Sequence, residues 1–200
     1  MTDTKNGVLT LQAPTWGRGD WMQTYTGRAF YPLDAKAEDI DPLDIAHGIS
    51  MQCRYNGHVK RFYSVAEHCV LVSEFLEESG ESANDVLYGL LHDGTESYVG
   101  DMVRPLKKHI PDFSLAEDGV MIAIAERFGL KSPIMPDSVR NADNRILLDE
   151  RAELLGTPPH AWAVEDLTPL GVKISGWDPF VAKELYLLRL EELTGEVVPR

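Results

Sequence analysis

The chain has 200 residues, 44% of them apolar, and a formal net charge of -13. This length and composition predict one domain with a single sizeable core. Proteins bind a nucleic-acid backbone mainly through lysine and arginine, which displace its counterions, so this acidic chain is not expected to bind a nucleic-acid polymer. A small phosphorylated ligand is compatible with the charge.

The sequence also lacks signals for a membrane or for export. Its apolar stretches fall short of the roughly 20 residues that a membrane span requires. The N-terminus MTDTKNGVLTLQ has neither the basic start nor the apolar core of a signal peptide. We therefore expect a soluble, cytoplasmic protein without a membrane partner, in which Cys53 and Cys69 stay reduced as small buried groups.

Helix-capping residues, first-turn prolines and terminal glycines predict six main helices. Capping-box spacing occurs in the pairs Ser64 with Glu67, Ser82 with Asp85, and Ser114 with Glu117. The predicted ranges are about 42–54, 64–80, 82–100, 114–129, 137–155 and 178–195. Alternating strand patterns are scarce apart from GVLTLQ and GVKIS. The predicted fold class is all-α, with a helical domain over residues 36–200 and a non-helical arm over residues 1–35.

The stretch LLHDGTESYVGD, residues 90–101, places ionisable side chains directly after an apolar run. On a continuous helix His92 and Glu96 are one turn apart, and Asp93 lies three residues before Glu96, so all three can face one cleft. Imidazole nitrogen and carboxylate oxygen together are a typical ligand set for a divalent metal. For the dipeptide alone, a plain pair at a helix surface is the simpler interpretation.

A mononuclear metal site needs more ligands than one helical turn supplies, and two other helices offer them. His68 follows the start of the second helix, and Asp143 lies in VRNADNRILLDE on the fifth. Taken singly, His68 is more simply interpreted as a core or interface histidine, and Asp143 can be an ordinary helix-surface acid. Together with His92 and Asp93 they form a candidate ligand set.

The order of a histidine, a His-Asp pair and a distant aspartate, all on helices, resembles the HD superfamily of metal-dependent phosphohydrolases. The resemblance runs from about residue 45 to residue 151 and is most specific in RFYSVAEHCVLVSEFL and LLHDGTESYVGD. The spacing is similar to that in the branch with bacterial deoxynucleoside 5'-monophosphatases and phage deoxyadenosine triphosphate triphosphohydrolases. The resemblance implies an HD-domain helical bundle and, as in many members of the family, a homo-oligomer.

The resemblance also implies roles for individual residues. The metal ligands would be His68, His92, Asp93 and Asp143. Glu96 and Asp101 fall on carboxylates that handle the attacking water and the leaving oxygen, Arg54 on a phosphate-contacting arginine, and Lys107 on a lysine near the phosphate path. For Lys107, a pair with a surface acid is an equal alternative.

One departure from the family is Gly94, where alanine is usual. A glycine inside a helix is less favourable than alanine by roughly 1 kcal/mol, so we expect a looser turn before Glu96 with no ligand lost.

Further substrate contacts are predicted outside these motifs. His58 and Arg61 lie in the loop before the second helix, within reach of a sugar or phosphate. Trp21 and Gln23 belong to an aromatic and glycine-rich arm that either packs along its own domain or a neighbouring subunit, or folds over the cleft to contact a nucleobase. His47 is expected to be structural, His109 to face solvent, and Cys69 to point into the core.

The predicted function is hydrolysis of a nucleotide, with a deoxynucleoside mono- or triphosphate as the favoured substrate, by attack of a metal-bound water on phosphorus. Mn, Co, Zn, Mg and Fe all accept this ligand set. Three alternatives stay open: a phosphatase for another small phosphorylated metabolite, a guanosine tetraphosphate hydrolase, and a non-catalytic sensor that binds a nucleotide.

Overall fold

The computed structural model describes residues 2–5, 8–11 and 15–200, and this part of the chain is mostly helical. The helices are α1 (Pro42–Met51), α2 (Val65–Glu78), α3 (Ala83–Leu91), α4 (Glu96–Val99), α5 (Arg104–Lys107), α6 (Pro111–Phe128), α7 (Asp137–Leu154) and α8 (Pro179–Thr194). Two antiparallel strand pairs precede them, β1 (Thr2–Lys5) with β2 (Val8–Leu11), and β3 (Met22–Gln23) with β4 (Ala29–Phe30). The predicted all-α class with a non-helical arm is confirmed. Within the described ranges, no helix combines the length and apolarity that crossing a membrane requires.

Several helices begin where their capping residues predict, because a side-chain oxygen accepts a hydrogen bond from a free backbone N–H of the first turn. Asp41 accepts from the N–H of Leu43 at 2.9 Å, and Ser64 accepts from that of Glu67 at 3.0 Å. Ser82 and Asp178 cap α3 and α8 in the same way.

The predicted third helix, 82–100, is wrong in its continuity. Regular α-helix ends at Leu91, and a turn follows in which Gly94 donates to the carbonyl of Leu91 at 2.8 Å and Glu96 to that of Asp93 at 3.0 Å. These bonds span three residues instead of four, so the chain is wound more tightly here than in an α-helix. Gly94 therefore lies in a turn and not inside a helix, which removes the basis for the predicted loosening.

Other predicted boundaries also need correction. The first helix ends at Met51 instead of residue 54, because a separate 3-10 turn covers Arg54–Gly57. The fourth helix starts at Pro111, a favourable first-turn residue, so Ser114 lies inside it and caps nothing. In GVKIS no strand forms, whereas the strand predicted in GVLTLQ is present as β2, with Gly7 and Gln12 outside the described residues.

The core is built around α2, which packs against α1, α3, α7 and α8. Ten of its residues are buried, from Val65 to Leu76, with Cys69 among them as predicted. Cys53 is only half-buried. Because α2 is surrounded, any polar side chain that it carries inward must find its partners within the protein.

The arm packs on its own domain over residues 15–35. Thr26 donates from its backbone N–H and from its hydroxyl to Asp44 of α1, at 2.7 and 2.9 Å. The ring of Phe30 stacks on that of Tyr98 in α4, with centroids 3.9 Å apart. The arm therefore covers α1 and α4; a domain boundary at residue 35 stays a prediction.

Candidate metal centre and cleft

The structure brings the four predicted ligands together. His68 comes from α2, His92 and Asp93 from the turn after α3, and Asp143 from α7. The Nε2 atom of His68 lies 3.2 Å from Nε2 of His92, 3.6 Å from Oδ2 of Asp93 and 3.4 Å from Oδ1 of Asp143. Nε2 of His92 lies 3.4 and 3.9 Å from the same two carboxylate oxygens.

Four of the five separations, from 3.2 to 3.6 Å, are close to those expected around one metal ion, and the fifth, 3.9 Å between His92 and Asp143, is longer. With metal–ligand bonds of about 2.1 Å, neighbouring ligand atoms are about 3.0 Å apart in an octahedron and about 3.4 Å apart in a tetrahedron. Two imidazole nitrogens and two carboxylate oxygens suit several divalent first-row metals, so the ligand set alone does not select one. The buried cluster of His68, His92 and Asp143 can hold a metal ion.

Both histidines are oriented by a hydrogen bond at the nitrogen that faces away from the centre. Nδ1 of His92 lies 2.8 Å from the carbonyl oxygen of Gly89, which can only accept, so this nitrogen donates and Nε2 keeps its lone pair. Nδ1 of His68 lies 2.7 Å from Oε1 of Glu150. Such partners fix the ring orientation and increase the basicity of a metal-binding imidazole.

Glu150 is completely buried and contacts the centre, although the sequence analysis did not single it out. Besides His68 it contacts Nη2 of Arg54 at 3.3 Å and accepts a hydrogen bond from the hydroxyl of Tyr55. Burial alone would raise the pKa of this carboxyl group, but the charges of Arg54 and His68 and the hydrogen bonds outweigh burial and lower the pKa to about 2. The sequence did contain a signal for Glu150. It lies seven residues after Asp143, which places both on the same face of α7, two turns apart.

The carboxylates around His68 favour a positive charge at the centre. Burial and the charge of Arg54 lower the pKa of His68, but Glu150 and a hydrogen bond to Asp143 outweigh them and raise it. The pKa values of Asp93 and Asp143 are lowered despite burial, because both histidines are close. Ionised carboxylates next to imidazoles are the state that a divalent cation requires.

Arg54 is held in place by a strained turn. Tyr55 and Asn56, directly after it, have φ angles of 57° and 52°, in the left-handed region that non-glycine residues rarely adopt. Nη1 of Arg54 lies 3.3 Å from Oδ2 of Asp93, while its Nη2 and Nε lie 3.3 and 3.2 Å from the carboxylate oxygens of Glu150. The strain is maintained because the turn delivers both Arg54 and Tyr55 to a buried carboxylate.

Glu96 and Asp101 both line a cleft next to the candidate metal centre, and Gln52 forms hydrogen bonds to the backbones of both. Nε2 of Gln52 donates to the carbonyl of Glu96 at 2.8 Å, and its Oε1 accepts from the N–H of Asp101 at 2.9 Å. Oε2 of Glu96 is buried and has no hydrogen-bond partner within the described part of the chain. Burial, followed by the charges of Asp93 and Asp101, raises the pKa of Glu96 well above its usual value.

The candidate metal centre opens into a cleft of about 780 Å³. Its charged lining combines the acids of the centre with the basic residues Arg54, His58, Arg104, Lys107 and Lys108. A second part of the lining is apolar: Met135, Leu147, Leu155, Trp162, Ala163 and Val164. The volume is in the range of small-molecule sites.

Arg104 was not predicted and contacts the centre directly. Its Nη2 lies 2.5 Å from Oδ2 of Asp143, which leaves Oδ1 turned towards the histidines. Lys107 lines the cleft and also pairs with Glu117, its Nζ lying 2.7 Å from Oε1. Both interpretations of Lys107 thus have support in its position.

Three predicted substrate contacts are not among the described residues that line the cleft. Trp21 and Gln23 are exposed on the arm, which packs on α1 and α4. Arg61 donates instead to the carbonyl of Ile174 at 2.9 Å, linking the loop before α2 to the segment before α8. His58 lines the cleft but Arg61 does not, and their closeness in sequence gave no sign of this difference.

The remaining side chains singled out in the sequence have clear places. His47 stacks on Tyr25 with centroids 3.6 Å apart, as a structural residue would, and His109 is exposed. Cys69 is buried in the core, yet its sulfur lies within 4.8 Å of ligand atoms of His92 and Asp93. Burial raises the pKa of this thiol well above its usual value.

Comparison with known proteins gives relatives without a stated activity. The scan against protein-family models found no match. The chain is 38% identical over 134 residues to the uncharacterized protein YfdR of Escherichia coli K12, covering 67% of this chain and 72% of YfdR. It is 35% identical over 127 residues to the uncharacterized protein RCAP_rcc00048 of Rhodobacter capsulatus, covering 61% of this chain and 64% of that protein. The chain therefore belongs to the same protein family as YfdR.

Proposed function

We propose that the protein is a metal-dependent phosphohydrolase of small nucleotides, with a deoxynucleoside mono- or triphosphate as substrate. The observation that carries the proposal is the meeting of His68, His92, Asp93 and Asp143 beside a carboxylate oxygen of Glu96 that has no hydrogen-bond partner among the described residues. The likeness of these motifs to the HD superfamily supports the same reaction class.

A divalent ion held by these four residues would neutralise charge on a phosphoryl oxygen and lower the pKa of water. Glu96 is placed to accept a proton from an attacking water, since its Oε2 has no other partner in the described structure. Its raised pKa brings proton uptake closer to neutral pH. Asp101, which Gln52 holds beside it, is placed to orient the same water.

Binding of a phosphate requires cations, because the centre itself is acidic. Arg54 faces the cleft from its floor, and Arg104, Lys107, Lys108 and His58 contribute further basic side chains. A guanidinium offers a planar pair of donors that matches phosphate oxygens. Arg104 is best placed for this role, because its side chain is 54% exposed while it touches Asp143.

The proposal is tested by product analysis. Protein stripped of metal and reloaded with Mn or Co is incubated with deoxynucleoside mono- and triphosphates, with guanosine tetraphosphate and with simple phosphate esters, and the products are separated by chromatography. We expect nucleoside together with phosphate or triphosphate from the unsubstituted protein, and none from Asp93→Ala. Asp112→Ala, at an exposed position at the start of α6, is the matched control and keeps full activity.

The possible products separate the alternatives. Release from a phosphate ester but from no nucleotide identifies a phosphatase of another metabolite. No release from any compound, with metal retained, contradicts catalysis and leaves a nucleotide-binding protein. Activity in Asp93→Ala equal to that of the unsubstituted protein contradicts the metal centre as the site.

A further inference from the structure

One wall of the cleft has no part in the chemistry described above. It is formed by Leu147 and Leu155 at the C-terminal half of α7 and just beyond it, by Met135 before α7, and by the segment 162–164 between α7 and α8. Leu155, Trp162 and Val164 are only partly buried, so their apolar surface faces the cleft and is not used up in the core. An apolar wall next to a charged floor is typical of sites whose ligands have one apolar and one charged end.

Trp162 is the largest side chain of this wall, and Arg151 and Glu165, which are not among the cleft-lining residues, hold it in place. The N–H of Glu165 donates to the carbonyl of Trp162 at 3.1 Å, which closes a turn. Arg151 of α7 pairs with the carboxylate of Glu165, and its guanidinium carbon lies 5.4 Å from the centroid of the Trp162 ring. These contacts anchor an indole ring that still lines the cleft.

We propose that Trp162 and its apolar neighbours bind the nucleobase of the substrate. This inference rests on the proposed function, which places the phosphate at the metal centre of the same cleft. Indole presents a broad apolar face, and purine and pyrimidine rings stack on such faces with little dependence on the base. A sugar phosphate without a base would leave this wall unused, so the wall selects a nucleotide over a smaller phosphate ester.

The proposal moves base recognition from the arm to the loop after α7. Trp21 of the arm is 56% exposed and is not among the described residues that line the cleft. It is therefore a matched control, because the same substitution removes an equally large ring away from the cleft.

Equilibrium binding tests the proposal independently of turnover. Mn-loaded protein carrying Glu96→Gln, which is expected to slow hydrolysis by about 100-fold or more, is titrated in a calorimeter with a deoxynucleoside 5'-monophosphate and with deoxyribose 5-phosphate. Trp162→Ala is expected to weaken nucleotide binding by about 5- to 150-fold, the range found for the loss of one base-stacking side chain. Binding of deoxyribose 5-phosphate stays unchanged, Trp162→Phe retains most of the nucleotide affinity, and Trp21→Ala has no effect.

Equal weakening of both ligands by Trp162→Ala would assign Trp162 a structural role and overturn the proposal. Unchanged nucleotide affinity in that variant, or no binding of either ligand to the protein, also overturns it. Failure of the proposed function has a different signature. In that case the protein binds nucleotide through Trp162, but the protein with Glu96 intact releases no product. It is then a nucleotide-binding protein with the base site described here.

Discussion

Replacing Glu150 by glutamine removes one buried negative charge while conserving the size of the side chain. Glu150 accepts from Nδ1 of His68 at 2.7 Å and contacts Arg54 and Tyr55, so its charge holds a candidate metal ligand and a buried guanidinium at once. We expect Glu150→Gln to lower both the stability of the protein and its affinity for metal.

The magnitude follows from the depressed pKa. The pKa of Glu150 falls from 4.5 to about 2 on folding. At roughly 1.4 kcal/mol per pH unit, this corresponds to about 3 kcal/mol of unfolding free energy. Loss of one partner from a buried ion pair gives a similar figure of about 3 to 5 kcal/mol. For metal affinity, loss of the partner of a ligating histidine predicts a decrease of about 10- to 100-fold.

The pH dependence has a definite sign. Because the folded-state pKa is depressed, the stabilisation is fully present above pH 4.5 and is lost as the pH falls through about 2. The difference between the unsubstituted protein and Glu150→Gln should therefore be largest at neutral pH and shrink in acid.

Urea unfolding of the metal-stripped protein at pH 7 and at pH 3 measures the stability change, and titration with Mn measures the affinity. Glu153→Gln is the matched control, since Glu153 lies on the same helix with a side chain that is 57% exposed, 3.5 Å from Arg61. It should change stability by less than about 0.5 kcal/mol. If the unfolding free energy of Glu150→Gln is within about 1 kcal/mol of that of the unsubstituted protein and its Mn affinity is unchanged, the charge of Glu150 does not have the predicted role.

Three further substitutions test separate parts of the site. Asp93→Ala should abolish Mn binding in equilibrium dialysis, and retained binding at full affinity would remove Asp93 from the ligand set. Glu96→Gln should bind Mn normally while product release falls by about 100-fold or more in a rate assay, and full activity would exclude Glu96 as the group that handles the water. Gly48→Ala should destabilise the protein by about 1 to 3 kcal/mol in urea unfolding, because the added Cβ would lie 2.7 Å from Cβ of Ser97 in α4. Gly156→Ala is the control, because its added Cβ would meet no described residue other than its chain neighbours within 4 Å, and equal effects of the two would contradict the close approach of α1 and α4.

The four candidate ligands could be named before the structure because each signal is local or belongs to a known spacing. The cap at Ser64 fixes the start of α2 and hence the depth of His68 in it. The His-Asp pair follows an apolar run, and Asp143 interrupts an otherwise regular pattern on α7. Local order of this kind is read directly from sequence, since it depends on neighbours three or four residues away.

The contacts that were missed all depend on residues distant in sequence. Glu150 meets His68 across 82 positions, and Arg104 meets Asp143 across 39. The part of the apolar wall formed by residues 162–164 lies after α7 in a segment without helical periodicity, so nothing local connected it to the cleft. The end of regular helix at Leu91 was missed for the same reason, since it also depends on a residue distant in sequence. The turn after Leu91 accommodates the approach of α4 to Gly48.

We expect one divalent ion to be held between His68, His92, Asp93 and Asp143. Anomalous diffraction from a crystal soaked in Mn locates such an ion directly. We predict a single strong peak within about 2.0 to 2.3 Å of Nε2 of both histidines and of one oxygen of each aspartate, and no peak there in Asp93→Ala. A peak at other residues, or none at this centre in the unsubstituted protein, would contradict a metal site formed by these four residues.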